Sequence, residues 1–226
     1  MATFEDIKKA FRKAVDNDPE AKKIYAELQD LPTYGNAMKL ANRLGADLGT
    51  VLIKLAPELS VDDLSLADIL PQALGLDHAQ VAEACRQVQE SMNKQAGLGI
   101  KYKEPKFNMD KALGLADEVR SVTDFDPIAQ KFVEQVQNFS ESVVDDSIYE
   151  NASTLASSGV KAYIVRTAEA KACDWCKEVE GTYDYWEVKD KGNDVWRRHL
   201  GCECSIEFGI ERSGGYSVSR VNNFKK

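Results

Sequence analysis

The sequence predicts a mainly α-helical protein with a small module containing a β-hairpin at its C-terminus, so the fold class is α+β overall. Up to Ser158, apolar side chains recur at three- and four-residue intervals, as on the buried face of a helix. From Gly159 onward, short runs of β-forming residues separated by turn residues replace that spacing. Four of the five cysteines and one of the two histidines also lie in this last part.

The first two helices have clear start signals. Asp6 stands three residues after Thr3, and the pair predicts a capping box at the start of the first helix. Its apolar stripe consists of Phe4, Ile7, Phe11 and Ala14. Asp18 followed by Pro19 predicts the start of a second helix, which we expect to end before Pro32.

Further helix starts are expected at Ser60 with Asp63 and at Asp77 with Gln80, because each pair has the spacing of a capping signal. A helix that begins at Asp77 places His78 in its first turn, where we expect a surface residue. The apolar face of the same helix consists of Val81, Cys85, Val88 and Met92, and Cys85 is therefore expected to be a buried core thiol.

After a linker rich in Gly and Lys, helices are expected from Met109 to Val122 and from Asp126 onward. Within the second of these, Asp145 and Asp146 are neighbours in sequence, so on a helix their side chains point about 100° apart. We interpret the two acids as part of a solvated helix face.

Two strands, and a third segment that is either a strand or the end of a helix, are expected in the last part of the chain. The segment Val160 to Thr167 fits a strand or the end of a helix, whereas Gly181 to Val188 and Ser205 to Ile210 fit strands. Asp190 to Asp194 contains Gly and Asn and is expected to be a turn.

These elements divide the chain into five consecutive regions. We expect an acidic helical region at 1–93, a linker at 94–108, long helices at 109–158, a ligand-containing α+β module at 159–212 and a flexible tail at 213–226.

Cysteine and histidine spacing predicts a zinc site in the module. Cys173 and Cys176 form a C-x-x-C pair, and His199, Cys202 and Cys204 follow in the run H-L-G-C-E-C. Paired thiolates on two turns, separated by a segment long enough for a small hairpin, are typical of structural Zn²⁺ sites. Five candidates compete for four positions, and which one stays outside is left open: Cys204 can replace either His199 or Cys202.

Other uses of these residues fit less well. The cysteine number is odd and the N-terminus does not resemble a secretory signal, which disfavours disulfides. A redox C-x-x-C leaves His199 and Cys202 unexplained. A catalytic zinc ion usually has three protein ligands and an open position, whereas five donors favour a closed structural site.

Charge is distributed unevenly. The net charge is −8, which disfavours wholesale wrapping of nucleic acid. From Lys161 to Lys226, however, twelve Lys or Arg accompany eleven Asp or Glu. The three tryptophans Trp175, Trp186 and Trp196 lie in the same module. They fit a miniature core around the metal, and a second interpretation is base stacking beside Arg197 and Arg198 as weak nucleic-acid-binding residues.

The sequence lacks signals for several other classes. No apolar run approaches the roughly 20 residues that span a bilayer, and no membrane segment is expected. No nucleotide-binding glycine loop, nucleophile elbow or paired catalytic carboxylate stands out, so no catalytic residue is assigned and no enzymatic activity is expected.

The order of residues in the module resembles the C-terminal segment of the Mu-F-like minor head (head morphogenesis) proteins of tailed bacteriophages. In that family an arginine precedes a C-x-x-C knuckle, a glycine follows it, and a H-P-x-C-x-C cluster closes the module. The matching residues here are Arg166, Cys173, Trp175, Cys176, Gly181, His199, Cys202 and Cys204. Leu200 stands where a proline is usual. The resemblance extends from Ser158 to Phe208, roughly the last third of the chain.

The resemblance implies a non-enzymatic structural protein of the virion, made in the host bacterial cytoplasm and located in the head interior or at the portal vertex. It implies portal, coat or scaffold proteins as partners and a role in head assembly or in packaging and ejection of DNA. Packaged DNA and a second copy of the chain are further candidate partners. A different class, a zinc-dependent nucleic-acid-binding protein or nuclease-like effector delivered with phage DNA, is the alternative.

Overall fold

The computed structural model describes residues 2–58, 66–120, 122, 126–168, 171–199, 201–202, 204–212 and 215–218. For residues 211–212 and 215–218 it describes the backbone only. Helices dominate this part of the chain, and a small antiparallel sheet lies near the C-terminus. The predicted fold class, mainly α and α+β overall, is confirmed.

The described residues form eight α-helices and four β-strands. The six longer helices are α1 Phe4–Asn17, α2 Pro19–Asp30, α3 Tyr34–Leu55, α4 Leu66–Ala96, α5 Met109–Arg120 and α6 Ala129–Ser157. The last part of the chain contains β1 Ala162–Thr167, α7 Asp174–Glu178, β2 Gly181–Asp184, α8 Tyr185–Val188, β3 Ser205–Arg212 and β4 Gly215–Val218. None of the helices among the described residues has the length and apolarity needed to cross a membrane.

Both predicted start signals at the N-terminus are confirmed. The Thr3 backbone N–H donates to Asp6 Oδ2 at 2.9 Å, and the Asp6 N–H donates back to Thr3 Oγ1 at 3.3 Å, which completes the capping box. Helix α2 begins at Pro19, and the Asp18 carboxylate accepts a hydrogen bond from the Glu20 N–H at 2.9 Å. Helix α2 ends at Asp30, before Pro32.

The predicted helix start at Asp77 is wrong. Helix α4 is continuous from Leu66 to Ala96, and Asp77 is buried in its interior at hydrogen-bonding distance from Ser140 on α6. His78 is buried as well, with its ring 5.5 Å from that of Phe107, so its expected surface position is also wrong. Tertiary packing overrides the local capping signal. Within the continuous helix α4, the i→i−4 hydrogen bonds already satisfy the backbone N–H groups that a cap would serve. The other expected start, at Ser60 and Asp63, lies outside the described residues.

The chain divides into two compact units that each combine separate segments. Unit 1 consists of Met1–Ala26, Lys39–Val81 and Lys106–Val143. Unit 2 consists of Glu27–Met38, Ala82–Pro105 and Val144–Lys226, and it contains the whole sheet. The predicted division into five consecutive regions stays a prediction.

The segment expected to be a linker is tied to unit 2 by amide side chains. After Ala96 it contains no helix or strand until α5 begins. Asn93 Nδ2 donates to the Ile100 carbonyl at 2.8 Å. Asn151 on α6 accepts from the Lys103 N–H and donates to the Lys103 carbonyl, both at 2.9 Å. These bonds satisfy backbone groups of an irregular segment that no helix or sheet ladder satisfies.

The four strands form an antiparallel sheet in the order β2-β1-β3-β4. Val160–Thr167, which by sequence fits a strand or the end of a helix, contains the strand β1, and the expected strand at Ser205–Ile210 is observed as β3; both lie at the centre of the sheet. The expected strand at Gly181–Val188 is only half right, because β2 ends at Asp184. The Asp184 carboxylate accepts from the Trp186 N–H at 2.9 Å and starts α8, so the segment between the two cysteine pairs contains a strand and a helical turn.

The core of unit 2 attaches the sheet to the helices. Phe208 on β3 is fully buried, and its ring centroid lies 5.7 Å from that of Tyr34. The Tyr34 hydroxyl donates to Gln89 Oε1 on α4 at 2.8 Å. Cys85 lies on the same helix as Gln89 and is buried, as predicted for a core thiol.

Candidate metal centre

Antiparallel pairing of β1 and β3 brings the two predicted ligand pairs together. Thr167, the last residue of β1, pairs with Ser205, the first residue of β3. Cys173 and Cys176 follow β1, whereas His199, Cys202 and Cys204 precede β3. Both ligand segments therefore lie at the same end of the paired strands β1 and β3.

Each pair is shaped by a local turn. Cys173 stands at the N-cap of α7 and Cys176 lies in its only full turn, which directs two sulfurs from one short element. In the second pair, the Cys202 N–H donates to the His199 carbonyl at 3.1 Å, and Gly201 adopts φ +70. Glycine is favoured there because a Cβ strains the left-handed conformation.

Three of the distances between donor atoms match edges of a tetrahedral metal site, whereas Cys202 lies outside the 4.8 Å group of Cys173, Cys176 and His199. Cys173 Sγ and Cys176 Sγ lie 3.5 and 3.3 Å from His199 Nε2, and Cys176 Sγ lies 3.8 Å from Cys202 Sγ. Zn–S bonds of about 2.3 Å and Zn–N bonds of about 2.0 Å give tetrahedral edges of about 3.8 Å for S···S and about 3.5 Å for S···N.

All five predicted ligands belong to this cluster. Their donor atoms form two groups within 4.8 Å, one of Cys173, Cys176 and His199 and one of Cys176, Cys202 and Cys204. Cys176 is common to both groups. The geometry supports a site for a metal ion, and five donors again exceed the four positions of a tetrahedral ion.

The donors range from buried to exposed. Cys176, Cys202 and Cys204 are buried and pack with Ala168, Ala172 and Trp175. Cys173 and His199 are exposed. An ion at this position therefore has protein on one side and its more accessible ligands on the other.

The thiols of the cluster differ in acidity. Hydrogen bonding from the Cys176 backbone lowers the pKa of Cys173, and the pKa of Cys202 is lowered despite its burial, whereas that of Cys176 is raised. Burial, followed by the neighbouring thiols of Cys204, Cys173 and Cys202, raises the pKa of Cys176 to about 12. Without a metal, Cys176 is therefore a neutral thiol at pH 7. A bound metal displaces this proton, so metal binding by the cluster releases protons and weakens at low pH.

Arg166 on β1 is a site residue that spacing alone did not assign. Its side chain is 1 % exposed, and Nη2 lies 3.9 Å from both Cys176 Sγ and Cys202 Sγ. Nη1 donates to the carbonyls of Val195 and Arg197 at 2.7 and 2.8 Å. A sequence signal was present, because a charged residue interrupts the apolar run A-Y-I-V-R-T of a central strand.

The two arginines predicted as weak nucleic-acid-binding residues have different environments. Arg198 is buried in an ion pair in which its Nη2 donates to Asp145 Oδ1 at 2.9 Å, and its Nη1 donates to the Cys204 carbonyl at 2.6 Å. With its side chain 6 % exposed, Arg198 does not present its guanidinium to solvent. Arg197 is exposed and lies 3.4 Å from Asp194.

The expected solvated face at Asp145 and Asp146 is wrong for Asp145. Asp145 is buried against Arg198, and Asp146 pairs with Lys191. Basic residues far away in sequence cover both acids, and helical spacing within α6 does not reveal such partners.

The three tryptophans differ in environment: Trp175 and Trp196 fit the interpretation as a miniature core, and Trp186 fits the interpretation as an exposed base-stacking residue. Trp196 is buried and its Nε1–H donates to the Val188 carbonyl, so it belongs to the core of the module. Trp175 packs against the cysteine cluster, with the guanidinium carbons of Arg166 and Arg197 each 5.1 Å from its ring centroid. Trp186 is 56 % exposed and is the tryptophan of the three that is available for outside contacts.

No family model, curated protein or solved structure matches this chain. The resemblance to minor head proteins stays a prediction from the motif residues named above.

Proposed function

We propose that this chain is a structural minor head protein of a tailed bacteriophage whose C-terminal module folds around one zinc ion. The observation that supports it best is that Cys173 and Cys176 lie close to His199 and Cys202 at one end of the paired strands β1 and β3. Arg166 contacts this cluster. The order of these residues along the chain is also what resembles the minor head family.

Zinc is the metal that this donor set favours. The cluster offers four thiols and one imidazole, and such soft donors in tetrahedral arrangement select Zn²⁺ or an iron–sulfur cluster over Mg²⁺ or Ca²⁺. An imidazole together with cysteines is common in structural zinc sites. The bound ion would cross-link the turn that contains Cys173 and Cys176 to the turn that contains His199 and Cys202.

A structural role follows from the number and burial of the donors. A catalytic zinc ion keeps a position open for water, whereas this cluster has more donors than a tetrahedral ion can accept. Helix α7 has only five residues and β2 only four, so these elements have little stability of their own. Metal binding then contributes folding free energy to the module.

In this proposal the chain lies in the head interior or at the portal vertex, where it contacts portal, coat or scaffold proteins and has no catalytic residues. The compact metal-stabilised module supplies a fixed surface for such contacts. A second copy of the chain and packaged DNA are further partners that the proposal allows.

The alternative is a zinc-dependent nucleic-acid-binding protein or a nuclease-like effector delivered with phage DNA. Exposed Trp186 and exposed Arg197 favour it, because an aromatic ring and a cation are the usual contacts with single-stranded nucleic acid. The buried ion pair of Arg198 with Asp145 weakens it, because that pairing occupies one of the two predicted cations.

Mass spectrometry of gradient-purified particles from a phage that encodes this chain tests the proposal. We expect its peptides to co-purify with portal protein in full heads, and their absence from particles contradicts a virion role. Retention on DNA cellulose at about 0.15 M salt, where nonspecific phosphate contacts are weakened, tests the alternative. Zinc-dependent retention, lost in a Trp186→Ala/Arg197→Gln variant, favours the nucleic-acid-binding class.

A further inference from the structure

We propose that Arg166 is the counter-ion and positioning residue of the metal centre, and that the ligand set it serves is Cys173, Cys176, His199 and Cys202. This inference rests on the proposed zinc site and adds to it a fixed charge, an assigned ligand set and a residue outside the ligands on which metal affinity depends.

The charge of Arg166 is buried. Its side chain is 1 % exposed, and a buried guanidinium is costly unless an anion compensates it. In the part of the chain that the structure describes, its hydrogen-bond acceptors are backbone carbonyls and the sulfurs of Cys176 and Cys202, and no carboxylate pairs with it. Metal-bound thiolates are therefore the anions that balance this charge.

Arg166 also occupies a fixed position between the two ligand segments. Arg166 pairs with Gly181 on β2 and with Ile206 on β3, so its backbone is fixed from both sides. Nη2 is equidistant, at 3.9 Å, from one sulfur of each ligand pair. One side chain thus contacts both Cys176, after β1, and Cys202, before β3.

The same guanidinium also orients the segment that precedes His199. Nη1 donates to the carbonyls of Asp194, Val195 and Arg197 at 3.3, 2.7 and 2.8 Å. These bonds hold residues 194–197 and thereby the start of the second ligand segment. Outer-shell contacts of this kind orient metal ligands, and their loss typically costs 10- to 100-fold in metal affinity.

Charge balance selects the ligand set. Zn²⁺ with three thiolates and one neutral imidazole carries a net charge of −1, which the single positive charge of Arg166 neutralises. Four thiolates give −2 and leave one negative charge uncompensated. The charge of Arg198 also acts on Cys202, but Asp145 pairs with Arg198 and balances that charge.

The contacts of Arg166 are compatible with this choice, although Cys176 and Cys202 also belong to a set of four cysteines. Distances of 3.5, 3.3 and 3.8 Å connect Cys173, His199, Cys176 and Cys202 in a chain, and an ion bound by all four has to draw Cys202 toward Cys173 and His199, which lie outside its 4.8 Å group. Cys204 directly precedes β3, and its carbonyl accepts from Arg198 Nη1. Its sulfur lies within 4.8 Å of those of Cys176 and Cys202, and on charge balance we assign Cys204 as a buried thiol beside the ion.

A purely structural role for Arg166 makes a different prediction. If Arg166 acts only as a clamp on three carbonyls, a lysine is no better than a glutamine, because neither reproduces the guanidinium fork. If its charge balances the metal centre, Arg166→Lys restores part of the affinity that Arg166→Gln loses.

The test measures zinc affinity of the full chain by competition with a chelating indicator for wild type, Arg166→Gln, Arg166→Lys and Arg197→Gln. Arg197 is the matched control, because its guanidinium lies at the same 5.1 Å from the Trp175 ring but is exposed and pairs with Asp194. We expect a loss of about 10- to 100-fold for Arg166→Gln, a smaller loss for Arg166→Lys and a change of less than about two-fold for Arg197→Gln. Equal affinity of Arg166→Gln and wild type, or equal losses in the glutamine and lysine variants, overturns the charge role.

Cobalt substitution tests the ligand set without relying on the Arg166 variants. The sulfur-to-Co²⁺ charge-transfer absorption of the full chain grows with the number of bound thiolates. We expect Cys204→Ser to leave this absorption unchanged and Cys202→Ser to reduce it by about one third, as for one of three thiolates. A reduction in Cys204→Ser overturns the assignment, whereas a wild-type chain that binds neither zinc nor cobalt contradicts the zinc site itself.

Discussion

Cys176 and Cys202 are 26 positions apart in sequence, and their sulfur atoms lie 3.8 Å from each other. This separation equals the S···S edge of about 3.8 Å in a tetrahedral zinc site. The sheet register brings them together, because Thr167 pairs with Ser205 and sets the two ligand segments side by side. The clustering of the candidate metal ligands is thus a consequence of strand pairing.

Removal of the metal is expected to loosen the module around this pairing. Treatment of the zinc-loaded chain with a strong chelator should raise hydrogen exchange in β1, α7 and the segment before β3, because metal-binding free energy contributes to their folding. Re-addition of zinc should restore protection. Unchanged exchange in these segments after complete removal of zinc contradicts a structural role for the ion.

The ion pair between Asp145 and Arg198 predicts strong coupling. Both side chains are nearly buried, so Asp145→Asn or Arg198→Gln leaves one charge without its partner and should destabilise the protein by about 3 kcal/mol. The double variant should lose less than the sum of the two single variants. Urea unfolding of all four proteins measures the coupling, and additive losses contradict the pairing.

From the burial of the Asp77 carboxyl we expect the free energy of unfolding to fall as pH rises. Burial raises the pKa of this carboxyl from near 3.8 to about 7, and the Ser140 hydroxyl, 2.6 Å away, only partly offsets it. Between pH 4 and pH 7 the unfolded chain ionises Asp77 while the folded chain keeps it protonated. Over this range the free energy of unfolding should therefore fall by roughly 1.4 kcal/mol per pH unit, and above pH 7 it should not fall further.

Asp77→Asn removes this titration and is the variant that isolates it. Its free energy of unfolding, measured by urea titration from pH 4 to pH 8, should exceed that of the wild type by a margin that grows up to pH 7. Equal pH dependence of the two proteins shows that Asp77 is not the titrating group.

Gly45 predicts a close approach of α3 and α6. An added Cβ lies 2.6 Å from Ser140 Oγ and 2.7 Å from Gln137 Cα, so Gly45→Ala should force backbone movement and cost about 1–3 kcal/mol. Gly75, on α4, is the matched control because its Cβ position is open. Gly75→Ala should stabilise the helix by roughly 0.5–1 kcal/mol. Thermal unfolding of both variants measures the contrast, and similar effects contradict the close approach.

Local signals predicted the parts of this structure that depend on neighbours in sequence. The Thr3 capping box, the Asp18–Pro19 helix start and the five metal-ligand candidates all follow from spacing over a few residues. Each requires only that one short segment adopts its preferred conformation.

Features that depend on distant contacts were missed or wrong. Asp77 has the pattern of a helix cap, but its environment comes from Ser140 on another helix. Asp145 looks like a surface acid because its partner Arg198 lies 53 residues away. Arg166 contacts the sulfurs of Cys176 and Cys202 only because β1 pairs with β3, a register that sequence spacing does not encode.

The most direct test of the metal centre is native mass spectrometry of the full chain purified without added metal. We expect one zinc ion per wild-type chain in a narrow, low charge-state distribution, and a metal-free Cys173→Ser/Cys176→Ser variant with a broader, higher-charge distribution. A metal-free wild-type chain with the same narrow distribution contradicts the account, because it shows that the module folds without an ion.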